Sequence, residues 1–289
     1  MKISLICATY NRSTELGQLL KSLVVQSYKN FEIIIVDQNK NGLIDEICKS
    51  YKLQLDLVHI KSDKLGLSTN RNLGIKAATG EILGFPDDDC TYYPDTLGHV
   101  NTQFNNLRVS IIYGRIYDRN RQINIMRNWP SKTHDIESIL NIIKYSSSIV
   151  IFVNKNNYTT FFFDEVFGIN QQFGSCEDIE LCYRMFCKGA QLTYTPNIMV
   201  NHPDVISVFL DPKKAYNYSL GWGAFFAKHW SLKIALAFFG IYFFVIAKTF
   251  RDLLFLKPTT KGRVYSLVGR IAGFIKYQIT YKLGGKNVN

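Results

Sequence analysis

Acidic residues are nearly missing from the last quarter of this 289-residue chain. Residues 213–289 hold one, Asp252, against 13 Lys and Arg, a net of +12, while residues 1–212 hold 22 acids against 21 Lys and Arg, a net of −1. The overall charge of +11 therefore belongs to the tail. Such asymmetry directs the tail toward a polyanion, either nucleic acid or an anionic membrane surface. Paired cysteines are also missing: the six at 7, 48, 90, 176, 182 and 187 form no Cys-x-x-Cys pair and no Cys…His zinc spacing. Nor is there a leader signature, since residues 1–8 are too short and turn polar too soon. These two absences predict a reducing, cytoplasmic setting in which the thiols pack as small apolar groups. Short-period, coiled-coil and collagen repeats are missing as well. The charge-free run at residues 234–247 has 14 residues, flanked by Lys233 and Lys248. It would span only about 21 Å against a bilayer core of about 30 Å, so it is not expected to cross a membrane. With 47% apolar and 14% aromatic residues, the chain can still bury a large core.

Apolar strand-like runs at residues 3–8, 31–36, 53–60 and 81–85 alternate with helical patterns. Ser13 is placed to cap a helix with Leu16, Leu19, Leu20, Leu23 and Val24 on its apolar face, and a second helix covers residues 68–78. This alternation predicts an α/β, mostly parallel sheet flanked by helices, whose ligands bind beyond the carboxyl ends of the strands. Polar residues stand at those ends: Thr9, Asn11 and Arg12, then Asp37, Asp63 and Asp87-Asp88-Asp89. Farther on, residues 109–116 and 149–153 read as strands and 135–144 as a helix. Residues 177–188 read as another helix, followed by strand runs at 192–194 and 198–200 and by His202. In the tail, residues 263–282 place Val264, Leu267, Val268, Ile271, Phe274, Ile275 and Ile279 on one helical face. Arg263, Arg270 and Lys276 lie at its borders or opposite it. This is the pattern of a basic amphipathic helix lying in a membrane interface.

Two carboxylates spaced Asp-x-Asp, as in Asp87 and Asp89, can face one site and hold a hard divalent ion such as Mg²⁺ or Mn²⁺ with positions left for a diphosphate. Glu177 and Asp178 open a helix, where the dipole favours carboxylates. Five ordered strings place these residues: Ile-Cys-Ala-Thr-Tyr-Asn-Arg (6–12), Ile-Ile-Val-Asp (34–37), the stretch 69–89 from Thr-Asn-Arg-Asn to Phe-Pro-Asp-Asp-Asp, Phe-Asp-Glu (163–165) and Glu-Asp-Ile-Glu-Leu-Cys-Tyr-Arg (177–184). In this order they resemble the family 2 glycosyltransferases of GT-A fold, over about residues 2–203. Phe-Pro-Asp-Asp-Asp-Cys and the Tyr-x-x-Gly-x-Gly stretch at 218–223 resemble the members that build bacterial polysaccharides and O-antigens.

The resemblance implies a Rossmann-like GT-A domain over residues 1–205 and a basic, apolar helical tail for membrane association over 206–289. It implies inverting, metal-dependent transfer from a nucleotide-sugar donor to a lipid-linked or oligosaccharide acceptor, at the cytoplasmic face of the inner membrane. Thr9, Asn11, Arg12, Asp37, Asp63, Arg71, Asp87 and Asp88 would hold the donor, with Asp37 on the base and Asp87 nearer the ribose. Asp89, Asp87 and His202 would hold Mn²⁺ or Mg²⁺, Asp178 would be the general base, and Glu177 would lie on the acceptor side. Pro86 and Cys90 flank the Asp cluster, where many members have an aliphatic residue and an acid, and Gln38 follows Asp37 where Gly or Ser is usual. A sugar-1-phosphate nucleotidyltransferase would want a glycine-rich loop after the first strand, and residues 8–12 contain no glycine. A non-catalytic, basic membrane- or nucleic-acid-binding protein is the reading from another class. The tail's long apolar runs suit lipid better, so no nucleic-acid partner is expected. A homo-oligomer is compatible with the sequence.

Overall fold

The computed structural model describes residues 1–106, 109–157 and 161–284. They form two compact units. The first takes Met1–Leu65, Thr69–Phe162 and Leu181–Val205; the second takes Gly66–Ser68, Phe163–Glu180 and the chain from Ile206 onward.

The first unit is built on one sheet. Strands β1 (Ile3–Thr9), β2 (Phe31–Asp37), β3 (Leu57–Lys61) and β4 (Ile82–Gly84) are followed by β5 (Thr91–Tyr92), β6 (Ile111–Asp118) and β7 (Ile123–Asn124). Then come β8 (His134–Asp135), β9 (Ile151–Asn154) and β10 (Leu192–Asn201). The spatial order is β3-β2-β1-β4-β9-β6-β10-β5, with β7 beside β6 and β8 beside β10. Every residue of β2 is buried, which is why Phe-Glu-Ile-Ile-Ile-Val-Asp reads as a continuous apolar run rather than an alternation. Its one internal acid, Glu32, is satisfied by Ser4 Oγ at 2.5 Å, Thr79 N at 2.7 Å and Lys2 Nζ at 3.0 Å.

The expected α/β sheet is present, but it is mixed. β1 to β4 pair in parallel, whereas β9 runs antiparallel to both β4 and β6, and β5 antiparallel to β10. Several boundaries differ from the sequence reading for local reasons. Helix α1 (Ser13–Val24) buries Leu16, Leu19, Leu20 and Leu23 as predicted, yet Ser13 lies inside it and the capping position, Arg12, makes no side-chain cap bond. The run at 53–60 pairs only from Leu57, because Leu53 is turned out to solvent. The helix expected at 135–144 starts later, as α5 (Ile139–Tyr145) capped by Ser138, because Asp135 is drawn into β8 and accepts from Thr193 Oγ1 at 2.8 Å. The two short runs after residue 190 are one strand, β10, with an irregularity in its pairing to β6 between Tyr194 and Met199.

The second unit is helical. α6 (Glu177–Cys187) begins in it, and α7 (Pro212–Lys228), α8 (Leu232–Leu254) and α9 (Thr260–Tyr277) complete it. α9 buries Gly262, Ser266, Gly269, Arg270, Gly273 and Tyr277, a stripe of mostly small residues that lets α7 approach closely. A Cβ on Gly273 would lie 2.1 Å from the Leu220 carbonyl oxygen, and Ser219 and Ser266 share a buried 2.7 Å hydrogen bond. The amphipathic reading of α9 therefore needs correction at its cations. Arg270 is buried over the Trp222 ring, and burial brings its pKa down to about 10. Arg263 pairs with the buried Asp252. The apolar residues Val264, Val268, Ile271, Ile275 and Ile279 are the exposed ones.

The length argument drawn from residues 234–247 does not hold for the helix that contains them. α8 has 23 residues, about 34 Å, because it continues through Lys248 and Arg251, and it is long and apolar enough to cross a membrane.

Candidate active site

Parallel pairing sets the first part of the site. Register places Thr9 opposite Asp37 and Asp37 opposite Lys61, so three strand ends in a row present polar side chains at one edge. The Asp37 carboxylate is fully buried and fully engaged. Oδ1 accepts from Asn39 N and Nδ2, both at 2.8 Å; Oδ2 accepts from His59 Nε2 at 3.1 Å and Lys61 Nζ at 2.9 Å. Burial raises its pKa, but these donors outweigh that and hold the carboxyl below the usual range. Lys61 also pairs with Asp45, so its ammonium already supplies the positive charge between two carboxylates that could otherwise gather a cation. Asn39 Oδ1 accepts from Asn11 N at 2.8 Å, fixing Asn11 with φ at 57°. Gln38, buried, donates its backbone N–H to the Thr9 carbonyl at 3.1 Å and adds a side-chain Nε2 bond to the same oxygen at 3.4 Å, which Gly there would lack. Asp63 is exposed and makes no hydrogen bond or ion pair among the described residues.

The acidic cluster follows β4. Asp88 is nearly buried and ties back to the end of β1: Oδ2 accepts from Thr9 Oγ1 at 2.8 Å and Oδ1 from Arg12 Nη1 at 2.9 Å. Burial pushes its carboxyl up, and the Thr9 and Arg12 donors reverse this only in part. Arg12 Nη1 also reaches Asp89 Oδ2 at 2.5 Å. Arg71, expected among the donor-binding residues, is wholly buried, and its Nη2 donates to Asp87 Oδ1 and Ser148 Oγ at 2.8 and 2.9 Å. It holds Asp87 from behind. Cys90 is buried and its Sγ donates to the Asp87 carbonyl at 3.1 Å, closing the turn where many members carry an acid.

The antiparallel pairing of β5 with β10 matches Thr91 with Asn201. One residue beyond that pair, His202 comes beside the Asp cluster, with Nε2 3.4 Å from Asp89 Oδ1. The ligand atoms of Asp87, Asp89 and His202 all lie within 4.8 Å of one another. Three observations fit them to a divalent cation. Asp89 Oδ1 is buried without a hydrogen-bond partner of good geometry. Arg71 Nη2 is placed on Oδ1 of Asp87. His202 Nδ1 donates to the Pro203 carbonyl at 2.7 Å, so Nε2 is the ring nitrogen turned toward the carboxylates and the one a metal would take from the neutral ring. Two hard oxygens and one imidazole suit Mn²⁺ and admit Mg²⁺.

Glu177 and Asp178 lie in the second unit, in the first turn of α6. Glu177 is buried and Asp178 half-buried, with Asp178 Oδ1 accepting from Ile179 N at 2.8 Å. Cys176 enters this helix with φ at 71°, a left-handed conformation that is uncommon without glycine. Sequence reasoning passed over His59, Lys61, Asn39 and Ser148. Of these, only the strand-end positions of His59 and Lys61 were visible signals.

The glycosyl transferase family 2 model matches residues 4–163. Among curated relatives, an uncharacterised glycosyltransferase of Rickettsia conorii is 39% identical over 99 residues, 33% of this chain and 16% of the relative. The first relatives are much longer proteins, and the match spans only 16–17% of their length. Among solved structures, S. aureus TarS residues 1–349 superpose with a TM-score of 0.58 at 18% identity, over 98% of this chain and 92% of that one. A mannosyltransferase from Pyrobaculum calidifontis, in complex with GDP-Man and Mn²⁺, gives 0.64 at 14% identity, over 94% and 86%. The family match, the mixed sheet and the shared fold agree: this chain belongs to glycosyl transferase family 2.

Proposed function

We propose that the protein is an inverting, metal-dependent glycosyltransferase that moves a sugar from a nucleotide-sugar donor to a lipid-linked saccharide acceptor in cell-surface polysaccharide synthesis. The observation that carries this reading is the Asp87–Asp89–His202 group, with ligand atoms left open beyond the carboxyl edge of the sheet. The solved relatives are described as complexes with UDP, UDP-GlcNAc and GDP-Man, which supports a sugar nucleotide as the donor class. A divalent cation held by the triad would act as a Lewis acid on the departing diphosphate. Arg12, spread across Asp88 and Asp89, is a cation beside that cluster, and Thr9 and Asp37 stand at adjacent strand ends where the nucleoside would lie. On the acceptor side, Asp178 takes the hydroxyl proton as the acceptor oxygen attacks the anomeric carbon and the bond to the diphosphate breaks. One in-line displacement inverts the configuration, so a second carboxylate nucleophile is not needed.

The tail supports placement at the cytoplasmic face of the membrane, in the interface. Among the α8 residues, Ile234, Ala237, Val245, Thr249 and Asp252 are buried, while Leu236, Phe239, Phe243 and Phe250 are exposed. Lys257, Lys261 and Lys276 are exposed cations, each worth roughly 1 kcal/mol beside an anionic leaflet.

The deciding experiment is a thermal-shift panel of nucleotide sugars with and without Mn²⁺, because a true donor stabilises only the folded state. One sugar nucleotide should raise the midpoint in a metal-dependent way, and Asp89→Ala should abolish both that shift and transfer while remaining folded. Near-normal transfer by Asp89→Ala in EDTA would remove the metal assignment.

A further inference from the structure

The Tyr-x-x-Gly-x-Gly stretch of α7 and the Phe-Asp-Glu string have no part in the site described so far, and the second unit brings them together. Phe163–Glu180 and the helices from Ile206 onward belong to this unit. Lys228, the last residue of α7, extends its ammonium to Asp164 Oδ2 at 2.6 Å and to Glu180 Oε1 at 2.5 Å. Glu180 is fully buried, and Asp164 and Lys228 are exposed by only 6% and 16%. His229 Nε2 lies 3.3 Å from the same Glu180 oxygen. Glu180 is two residues past Asp178 in the opening turns of α6. Asp164 in turn orders the strand of chain before that helix, its Oδ1 accepting from Val166 N at 3.1 Å. The segment just before α6 rests on α7 as well. Ser175 Oγ donates to the Tyr218 carbonyl at 2.6 Å, and a Cβ on Gly221 would lie 2.4 Å from the Ser175 carbonyl oxygen.

From this geometry we infer that Lys228 is a positioning residue: its ammonium ties Asp164 to Glu180 and so fixes the turn of α6 that carries Asp178. The basic tail then has two duties. Its exposed apolar surface faces lipid, and α7 completes the element that bears the base. A largely shielded ammonium shared by two buried carboxylates is well suited to this, because it offsets charge that burial would otherwise penalise. The inference rests on the reading of Asp178 as general base.

The test uses the full chain, a short soluble acceptor and separate kcat and KM values. Lys228→Met should lower kcat about 10–100-fold, the scale of a misplaced reacting group. The donor KM and the Kd of the free nucleoside diphosphate should stay within about twofold, since uniform binding is not what is lost. Lys228→Arg, which keeps the charge and the donors, should restore most of the turnover. Where Lys228→Met alone does not fold, the combination with Asp164→Asn and Glu180→Gln removes all three charges together, and its folded protein should show the same kcat loss. Wild-type kcat in either folded variant would overturn the inference, as would a loss that follows donor affinity instead of kcat. Asp178→Asn separates the two readings. Combined with Lys228→Met it should lose no more than Asp178→Asn alone, because Lys228 acts through Asp178; multiplying losses would overturn the positioning role. Retained turnover in Asp178→Asn itself would overturn the general-base assignment, and a loss there with none in the Lys228 variants would overturn only the positioning role.

Discussion

Carboxylates in this molecule differ by what surrounds them more than by where they stand in the sequence. Asp178 is half-buried, and its Oδ1 accepts from the Ile179 backbone N–H. Asp178→Asn keeps the size and should lower kcat roughly 10²–10⁴-fold, the range of general-base assistance, with the nucleotide Kd unchanged by calorimetry. Lost affinity with intact turnover would make it a structural residue. Glu32 shows the opposite use of a carboxylate. Burial raises its pKa, yet Ser4, Thr79 and Lys2 more than offset this and bring it from the ordinary 4.5 down to about 2. The folded value lies below the unfolded one, so the contribution to stability is present above about pH 4.5 and disappears as pH falls toward 2. Denaturant midpoints measured across that window should fall more steeply for the native protein than for Glu32→Gln. At neutral pH the variant should be less stable by about 2 kcal/mol. Parallel curves would contradict this account. Glu32 was legible in the sequence only as a polar interruption of an apolar run. Nothing in β2 itself shows that Ser4 lies on the neighbouring strand and Thr79 forty-seven residues away.

Among the elements, the strands beside the donor region were readable because each is short, apolar and followed at once by a polar residue. The helices of the tail were readable in existence but not in orientation. Amphipathic spacing in α9 marks an apolar stripe, and in an isolated amphipathic helix that stripe would be the one buried against the protein. Here the smaller side, with Gly262, Ser266, Gly269 and Gly273, is the buried one, because close approach of two backbones gains more contact than the branched side would give. Gly273→Leu should therefore be far more damaging than Val268→Leu on the exposed side. The first should cost about 3 kcal/mol or more by overpacking and the second less than 0.5 kcal/mol, read as shifts in denaturant midpoint. Similar midpoints would place the α7–α9 contact elsewhere on the helix.

For the whole molecule, the proposed interfacial placement would have the exposed apolar side chains of α8 and α9 and the exposed lysines act on one lipid surface by different physics. Binding to vesicles with anionic lipid should weaken as salt rises, since the lysines are screened with a Debye length of about 8 Å at physiological ionic strength. Replacing Lys257, Lys261 and Lys276 with Gln should reduce that salt dependence. Replacing Phe239, Phe243 and Phe250 with Ser should lower binding at every salt concentration. Arg270→Gln should leave the salt dependence unchanged, because Arg270 is buried against Trp222. Resistance of the full chain to both high salt and alkaline carbonate, with its C-terminus accessible from the outer face, would replace the interfacial placement with a membrane-crossing α8.

By itself the sequence determined the alternation of strands and helices, the polar residues at strand ends and the ordered acidic strings, because periodicity and local spacing are properties of the chain alone. It also showed that the tail is basic and apolar. The tertiary structure decided which of those residues meet. His202 joins Asp89 only through the antiparallel pairing of β5 with β10, a contact between residues more than a hundred positions apart. Arg71 supports Asp87 from a position at which the fold buries it completely. Lys228 reads as one more cation of a basic tail until the fold sets its ammonium between Asp164 and Glu180. Charge and burial are not encoded in the same place: the first is written at each position, and the second exists only once distant segments pack.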